Sequence, residues 1–308
     1  MPDDDSHVGP DAADADPDAF THDELLIGDA LSGAAARLAR PAGLALVAGY
    51  LFVGFAGAVA TTSLFAAVLP RLRAFVVENA EVMPGDLPAT EPSPLALSVD
   101  PSTAAGLVLV TALLAETLHV VAVRVFVRDA RGFPEDALAE LPARALASFV
   151  ANSLAAVAVF VGFVLFIIPG VFLAVAFYLV RAVVAVENTG VVPALRRSWR
   201  LVAGHRIRVL LVLLVVVLVG QITTLPQSLI GGKPLGDLAA AALGVVLGAV
   251  VTAFGVAVGA RVYVQLAGID AARTAADEAD AADATGDEDE PLGALTPEEI
   301  DERFDDGN

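Results

Sequence analysis

The sequence predicts an all-α fold, a polytopic membrane helical bundle with six transmembrane helices, a Pro-Gly hairpin and an interfacial amphipathic helix. Three observations carry this. The chain of 308 residues is 56% hydrophobic with a mean hydropathy of +0.72, far above a soluble domain. Its formal net charge of −19 sits outside the apolar runs, because Asp and Glu crowd into Met1–Glu24 and Asp270–Asp305. The arginines fall on alternate sides of the apolar runs, as the positive-inside rule requires of a multi-span chain.

Residues 1–23 are Asp-, Ala- and Pro-rich and read as a disordered acidic tail. Thr21-His22-Asp23-Glu24 has the form of a capping box. It leads into a juxtamembrane amphipathic helix with Ile27, Leu31, Ala34 and Leu38 on one face. Gly43–Leu69 has no charged residue and is long enough for the first span, since a bilayer core needs about 20 residues. Pro70–Ser102, with five further prolines, reads as an acidic loop whose start (RLRAFVVENAEV) suits a short interfacial helix. Thr103–Val127 is the second span, and Arg128–Leu141 a short charged loop.

Ala145–Val180 carries no charge. As one helix its roughly 36 residues would run about 54 Å, against a hydrocarbon core of about 30 Å. Pro169-Gly170 lies near its middle, so the run splits into a third span, Ala145–Ile168, and a fourth from Val171 to near Val186. After the linker Glu187-Asn188-Thr189-Gly190 comes a basic amphipathic segment, then a fifth span, Val209–Leu225. A Gly/Pro-rich turn, Gln227–Asp237, precedes a sixth span, Leu238–Ala260. Residues 24–268 thus form the membrane domain, and residues 269–308 an acidic, mostly disordered tail with a helix start at Thr296-Pro297-Glu298-Glu299.

Six spans with an inside N-terminus put Arg37, Arg40, Arg128, Arg131, Arg144, Arg196, Arg197, Arg200, Arg206, Arg208 and Arg273 inside. Only Arg71, Arg73 and Lys233 fall outside. A mere kink at Pro169-Gly170 would send the Arg196–Arg208 cluster outward, against the rule. The expected location is the cell membrane, with both termini cytoplasmic. No basic n-region precedes the first apolar run, so the first helix reads as a retained span. The acid-rich composition, with Lys233 the only lysine, suggests a halophile with molar internal salt; a high-GC actinobacterium is the alternative.

Ionisable groups inside spans are costly, so they are paired or line a cavity. At about 1.5 Å per residue from the outer edge, Glu116 lies about 20 Å deep and Arg181 about 15 Å. They are natural partners, and Arg124 with Glu187 forms a second expected pair nearer the inner surface. Glu116 and His119 share a helix face, which fits a proton relay or half of a metal site. A single such motif with no second copy reads more simply as a structural contact.

Two further patterns stand out. In Val192–Gly204, Val192, Leu195, Trp199 and Val202 fall on one face and Arg196, Arg197 and Arg200 on the other, as suits a helix lying against anionic headgroups of the lipid bilayer. In the sixth span, Gly244, Gly248, Gly255 and Gly259 share a face that lets another backbone approach closely. That backbone belongs either to the same chain or to a second copy in a homodimer.

The chain has no cysteine, which excludes disulfides, thiolate metal sites and Cys nucleophiles. It has no GxSxG, HExxH or P-loop, and Gly231-Gly232-Lys233 is followed by Pro234. His7, His22, His119 and His205 are scattered, no basic soluble patch suggests nucleic acid, and no cofactor is called for.

The segment FIIPGVFLAVAFYLVRAVVAVENTGVVPALRRSWRLVAGHRIRV resembles the membrane domain found beside glycerophosphodiester phosphodiesterases. The residues that carry the resemblance are Ile168-Pro169-Gly170, Glu187 and Ala194-Leu195-Arg196-Arg197-Ser198-Trp199-Arg200-Leu201-Val202-Ala203-Gly204. More loosely, residues 24–268 resemble uncharacterised haloarchaeal integral membrane proteins. The phosphodiesterase barrel has no counterpart here, so the resemblance implies a membrane part without catalytic residues and, by analogy, a link to phospholipid metabolism. The expected function is a non-enzymatic membrane anchor or lipid-contacting scaffold. The alternative is a transporter or channel component with a polar path at Glu116, His119 and Arg181.

Overall fold

The computed structural model describes residues 25–79, 93–128, 141–231 and 234–286. Its helices are α1 (Ile27–Leu38), α2 (Pro41–Asn79), α3 (Pro101–Val127), α4 (Leu141–Leu165), α5 (Ile167–Ala176), α6 (Val180–Glu187), α7 (Val191–Val202), α8 (Arg206–Gly220), α9 (Leu225–Ile230) and α10 (Pro234–Gly286). A 3-10 turn, Gln221–Thr224, joins α8 to α9. No strand occurs among the described residues. The capping box at Thr21–Glu24, the loops at 80–92 and 129–140, Lys233 and the helix start at Thr296 lie outside the described residues.

Among the described residues, six stretches are long and apolar enough to cross a membrane: Pro41–Asn79, Pro101–Val127, Leu141–Leu165, Ile167–Glu187, Arg206–Ile230 and Gly236–Ala279. Large apolar side chains face outward on them, among them Phe52, Phe55, Phe65, Phe160 and Ile168. Water would penalise such a surface heavily, whereas hydrocarbon does not. The chain is a multi-pass membrane protein by this measure. The inside is small and β-branched: Val120, Val123, Val183, Val184, Ala253 and Ala257 are almost fully buried. Small side chains let backbones approach, which drives helix association where no hydrophobic effect operates between helices.

The chain divides into two compact units, Met1–Leu266 and Ala267–Asn308. In the first, α2 packs on α3, α3 on α4, and α4 on α5 and α6, while α7 lies against α4, α5 and α6. The start of α1 is tied to α10, where Leu26 N–H donates to Gln265 Oε1 at 3.0 Å. In the second unit the described residues are helical, and Thr274 Oγ1 donates to the Asp270 carbonyl at 3.0 Å. The expectation of a mostly disordered tail from residue 269 is corrected for residues 269–286, which are helical.

Three boundaries differ from the sequence reading. First, α2 runs through Pro70 to Asn79, so the expected loop begins later. A proline inside a membrane helix is tolerated because neighbouring groups take up the carbonyls it frees. The chain before α3 is pinned to α2 by Leu97 N–H, which donates to Ser63 Oγ at 2.8 Å.

Second, the hairpin turns at Phe166, not at Pro169-Gly170. Phe166 is extended at φ −161° and ψ 151°, between helices that end at Leu165 and begin at Ile167. Pro169 and Gly170 fall in the first turn of α5. There proline removes an N–H that has no partner inside the helix anyway. Gly170 permits the close return of α5 on α4: a Cβ there would lie 2.4 Å from Phe163 Cγ, and one at Gly162 would lie 2.9 Å from Gly170 Cα.

Third, the fourth crossing is interrupted at Phe177–Leu179. Tyr178 N–H turns to the Val175 carbonyl and Val180 N–H to the Phe177 carbonyl, at 3.3 and 3.2 Å. This tightened turn leaves the Ala176 carbonyl free of its helical partner, and Ser198 Oγ of α7 donates to it at 2.8 Å. The break therefore carries a partner from another helix, as broken spans require.

Candidate functional site

The bundle interior brings together two of the expected residues. Arg181 Nη2 donates to Glu116 Oε1, joining the second helix of the broken span, α6, to α3. Ser148 Oγ of α4 takes the other oxygen, Oε2, at 3.0 Å. Glu116 is 3% exposed and so closed in by both partners, whereas the Arg181 side chain is 37% exposed. That asymmetry decides which member of the pair meets anything else.

What Arg181 meets is a pair of cavities. One, of about 440 Å³, lies among α2, α3, α6 and α10, with Tyr50, Gly57, Thr111 and Gly248 in its wall. The other, of about 540 Å³, lies among α3–α6, α8 and α10, with Asn152, Tyr178, Val216 and Gly259 in its wall. His119, Arg181 and Thr252 line both. His119 thus faces the cavities alongside Arg181, on the helix turn after Glu116. Among the described residues no group of three or more His, Asp and Glu side chains is arranged to hold a metal ion.

The second expected pair is rearranged. Glu187 Oε1 accepts from Arg197 Nε at 3.0 Å and from Tyr263 Oη at 3.1 Å. Arg124 Nε instead donates to the Ala185 carbonyl at 2.9 Å, and its Nη2 to Asn188 Oδ1 at 3.3 Å. Arg144 Nη1 takes the Asn188 carbonyl at 2.7 Å. The physical reason is the end of α6. Its last carbonyls have no helical donors, Asn188 closes the helix in the left-handed region at φ 53°, and cations are favoured at a helix C-terminus. Two arginines converge there, and Glu187 is left to α7 and α10.

The face of α7 that packs inward is Ala194, Ser198, Leu201 and Val202, all buried. The expected apolar face is therefore split: Val202 is inside, while Val192 and Trp199 remain 53% and 37% exposed. Ala194 and Ser198 let α7 pack closely on α6, with Leu201 and Val202 filling the rest of that face. Trp199 packs edge-on to Phe172 at 5.2 Å between ring centroids and lies 6.1 Å from Phe177. The Arg206 guanidinium, just beyond the turn at Gly204 (φ +89°), stacks over both Phe172 and Trp199 at 4.8 and 5.5 Å. Arg196 and Arg200 are exposed on the rim of a groove of about 640 Å³ floored by Phe177, Pro193, Leu195 and Trp199. Arg197 points the other way, to Glu187.

The glycine stripe of α10 meets its own chain. A Cβ at Gly244 would lie 3.5 Å from the Thr223 carbonyl, one at Gly255 3.4 Å from Val216, and one at Gly259 3.7 Å from Tyr178 Oη. A Cβ at Gly248 would meet nothing within 4 Å outside its own helix, and this glycine lines the first cavity.

Sequence reasoning passed over Ser148 and Tyr178, and gave Ser198, Tyr50 and Thr252 no role in a site. A lone hydroxyl in an apolar run looks like any packed residue. Only its position opposite a charge or a broken helix, which needs the third dimension, gives it a role.

No curated protein and no solved structure matches the chain. One family model does, over residues 25–266, which takes in nearly all of the first compact unit. The chain belongs to the family described as Domain of unknown function (DUF7847).

Proposed function

We propose that this is a non-enzymatic protein of the cell membrane that seats on anionic lipid headgroups through α7. The observation that carries the reading is the groove beside Trp199. Its floor is apolar, its rim holds the exposed Arg196 and Arg200, and Arg206 stacks against the same tryptophan. An acyl chain fits the floor and a phosphate the rim, the division of labour of an interfacial helix. Arginine counting supports a cytoplasmic position for α7 and for both termini. The acidic ends of the chain support a halophilic host. The likeness to the membrane domain beside glycerophosphodiester phosphodiesterases belongs to this proposal too, since it rests on the same residues from Ile168 to Gly204.

The test is lipid retention. Wild type and an Arg196→Gln/Arg200→Gln double variant are placed in bilayers of mixed phosphatidylglycerol and phosphatidylcholine, then released into native mass spectrometry. Wild type should retain phosphatidylglycerol preferentially, and the double variant should lose that preference. Equal retention by the two proteins overturns the reading.

A second reading, a transporter or channel component, is supported by the two cavities that share His119 and Arg181 in their walls. Proteoliposomes carrying a fluorescent phosphatidylglycerol separate the two. Movement of the lipid between leaflets faster than in empty vesicles favours transport, and the empty-vesicle rate favours the seat alone.

A further inference from the structure

Three buried polar atoms around the two cavities lack a protein partner among the described residues: Tyr50 Oη, Tyr178 Oη and Arg181 Nε. Tyr50 stands in the wall of the first cavity, Tyr178 in that of the second, and Arg181 in both. Tyr50 is only 6% exposed, so its hydroxyl is not turned to bulk solvent. An unpaired hydroxyl in such a place is costly, typically by about 1–3 kcal/mol. Three such groups in the walls of two cavities that share His119, Arg181 and Thr252 mark a binding surface better than a packing fault.

Their chemistry leans toward donation. A guanidinium can only donate hydrogen bonds, and each phenol, which also accepts, can donate one more. Glu116, the carboxylate that would repel an anion, is absent from both walls, held behind them by Arg181 and Ser148. The rest of the lining is mostly alanine, glycine and valine, with Ala112, Ala155, Val245 and Val251 among them. The broken span contributes as well. The helix that follows the break, α6, has its N-terminus at Val180 beside Arg181, and the positive end of its dipole favours negative charge.

We propose that the two cavities form one chamber that binds an amphiphilic anion, with a phosphate or carboxylate head on Arg181, Tyr50 and Tyr178 and an apolar tail along the small-residue walls. This site is separate from the surface groove at α7 and does not rest on it. The same chemistry is offered by a phospholipid drawn from the bilayer or by a free single-chain phosphate. Mass spectrometry of lipid carried through purification identifies the first source, and titration with dodecyl phosphate the second.

The experiment measures dodecyl phosphate binding to protein in a neutral maltoside detergent, with dodecanol and inorganic phosphate as the controls for head and tail. Wild type should bind dodecyl phosphate saturably and more tightly than either control. Tyr50→Phe and Tyr178→Phe remove hydroxyls that make no protein hydrogen bond, so both should fold, with thermal stability equal to or above that of the ligand-free wild type. Each should weaken dodecyl phosphate binding by roughly tenfold, the effect of one hydrogen bond to a charged group, and leave dodecanol binding unchanged. The Arg196→Gln/Arg200→Gln double variant should bind as wild type does, which keeps failure of the surface seat distinct from failure of the chamber. The proposal is overturned if dodecyl phosphate binds no better than dodecanol or inorganic phosphate. It is equally overturned if the two phenylalanine variants, singly and together, bind it as tightly as wild type.

Discussion

Arg181 reaches back from α6 to the carboxylate of Glu116 on α3, so one ion pair crosses the interior between two helices 65 positions apart in the chain. Its two members live in different surroundings, one sealed and one lining a cavity. Breaking a fully buried pair costs about 3–5 kcal/mol because a charge is left alone in a low dielectric. Partial exposure of Arg181 lowers that to roughly 2–3 kcal/mol for Glu116→Gln. Ser148→Ala, which removes only the hydrogen bond to the second oxygen, should cost about 1 kcal/mol. Thermal unfolding in detergent should rank the variants in that order, and a Glu116→Gln protein as stable as wild type would refute a structural role for the pair.

The hairpin makes a second prediction. Gly170→Ala sets a methyl group against the ring of Phe163, an overpacking change expected to destabilise by about 1–3 kcal/mol. Gly106→Ala in α3 meets nothing within 4 Å and should gain up to about 1 kcal/mol from helix propensity. Opposite signs in the two melting temperatures are the expected result.

The break in the fourth crossing depends on a residue in another helix. Ser198→Ala leaves the Ala176 carbonyl buried with no donor, at a cost of about 1–3 kcal/mol. Ser228→Ala, at an exposed site where the hydroxyl bonds back to Leu225, should change stability by less than about 0.5 kcal/mol. Equal effects at the two serines would show that the freed carbonyl finds another partner.

Acid sensitivity should arise at the start of α3. Asp100 caps that helix, accepting from the Ser102 and Thr103 hydroxyls and from both their backbone N–H groups. Those bonds, the Ser102 hydroxyl foremost, hold its carboxyl well below the usual range. A carboxylate depressed in the folded state stabilises fully above its unfolded pKa of about 3.9, and that contribution is lost as pH falls toward the lower folded value. Asp100→Asn retains a capping oxygen but cannot titrate. The wild type should therefore lose stability relative to this variant as pH drops below about 4. Parallel pH profiles for the two proteins would contradict the assignment.

Much of this was open to sequence reasoning, and the parts that were not share a cause. The Glu116–Arg181 pair was legible because depth along a helix is simple arithmetic and buried charges must find each other. The six crossings were legible from length. The turn at Phe166 was not, because a prolyl residue signals a helix start as readily as a reversal, and here it marks the first turn of α5. The interruption at Phe177–Leu179 carries neither proline nor glycine, so an apolar run hides it. Its only written trace is Ser198, more than twenty residues away. The partner of Glu187 was misjudged because the carbonyls at the end of α6 competed for Arg124, and backbone acceptors leave no mark in a sequence. The bundle-facing side of α7 was not legible for a related reason: close packing selects Ala194 and Ser198, which no hydrophobicity pattern marks.

The turn at Phe166 has a consequence for how this protein meets its bilayer. Phe166, Ile167 and Ile168 form an entirely apolar apex, with exposures of 73%, 73% and 82%. The backbone of Phe166 is nonetheless satisfied at both ends, its N–H by the Gly162 carbonyl at 2.9 Å and its carbonyl by Gly170 N–H at 3.3 Å. The Ile167 and Ile168 N–H groups and the last carbonyls of α4 are the ordinary orphans of two abutting helix ends, and no capping side chain serves them. Hydrocarbon cannot satisfy such groups, so the backbone of the apex belongs within reach of water or headgroups while its three side chains dip back among the acyl chains. A reversal so divided is an anchor that resists both withdrawal and burial.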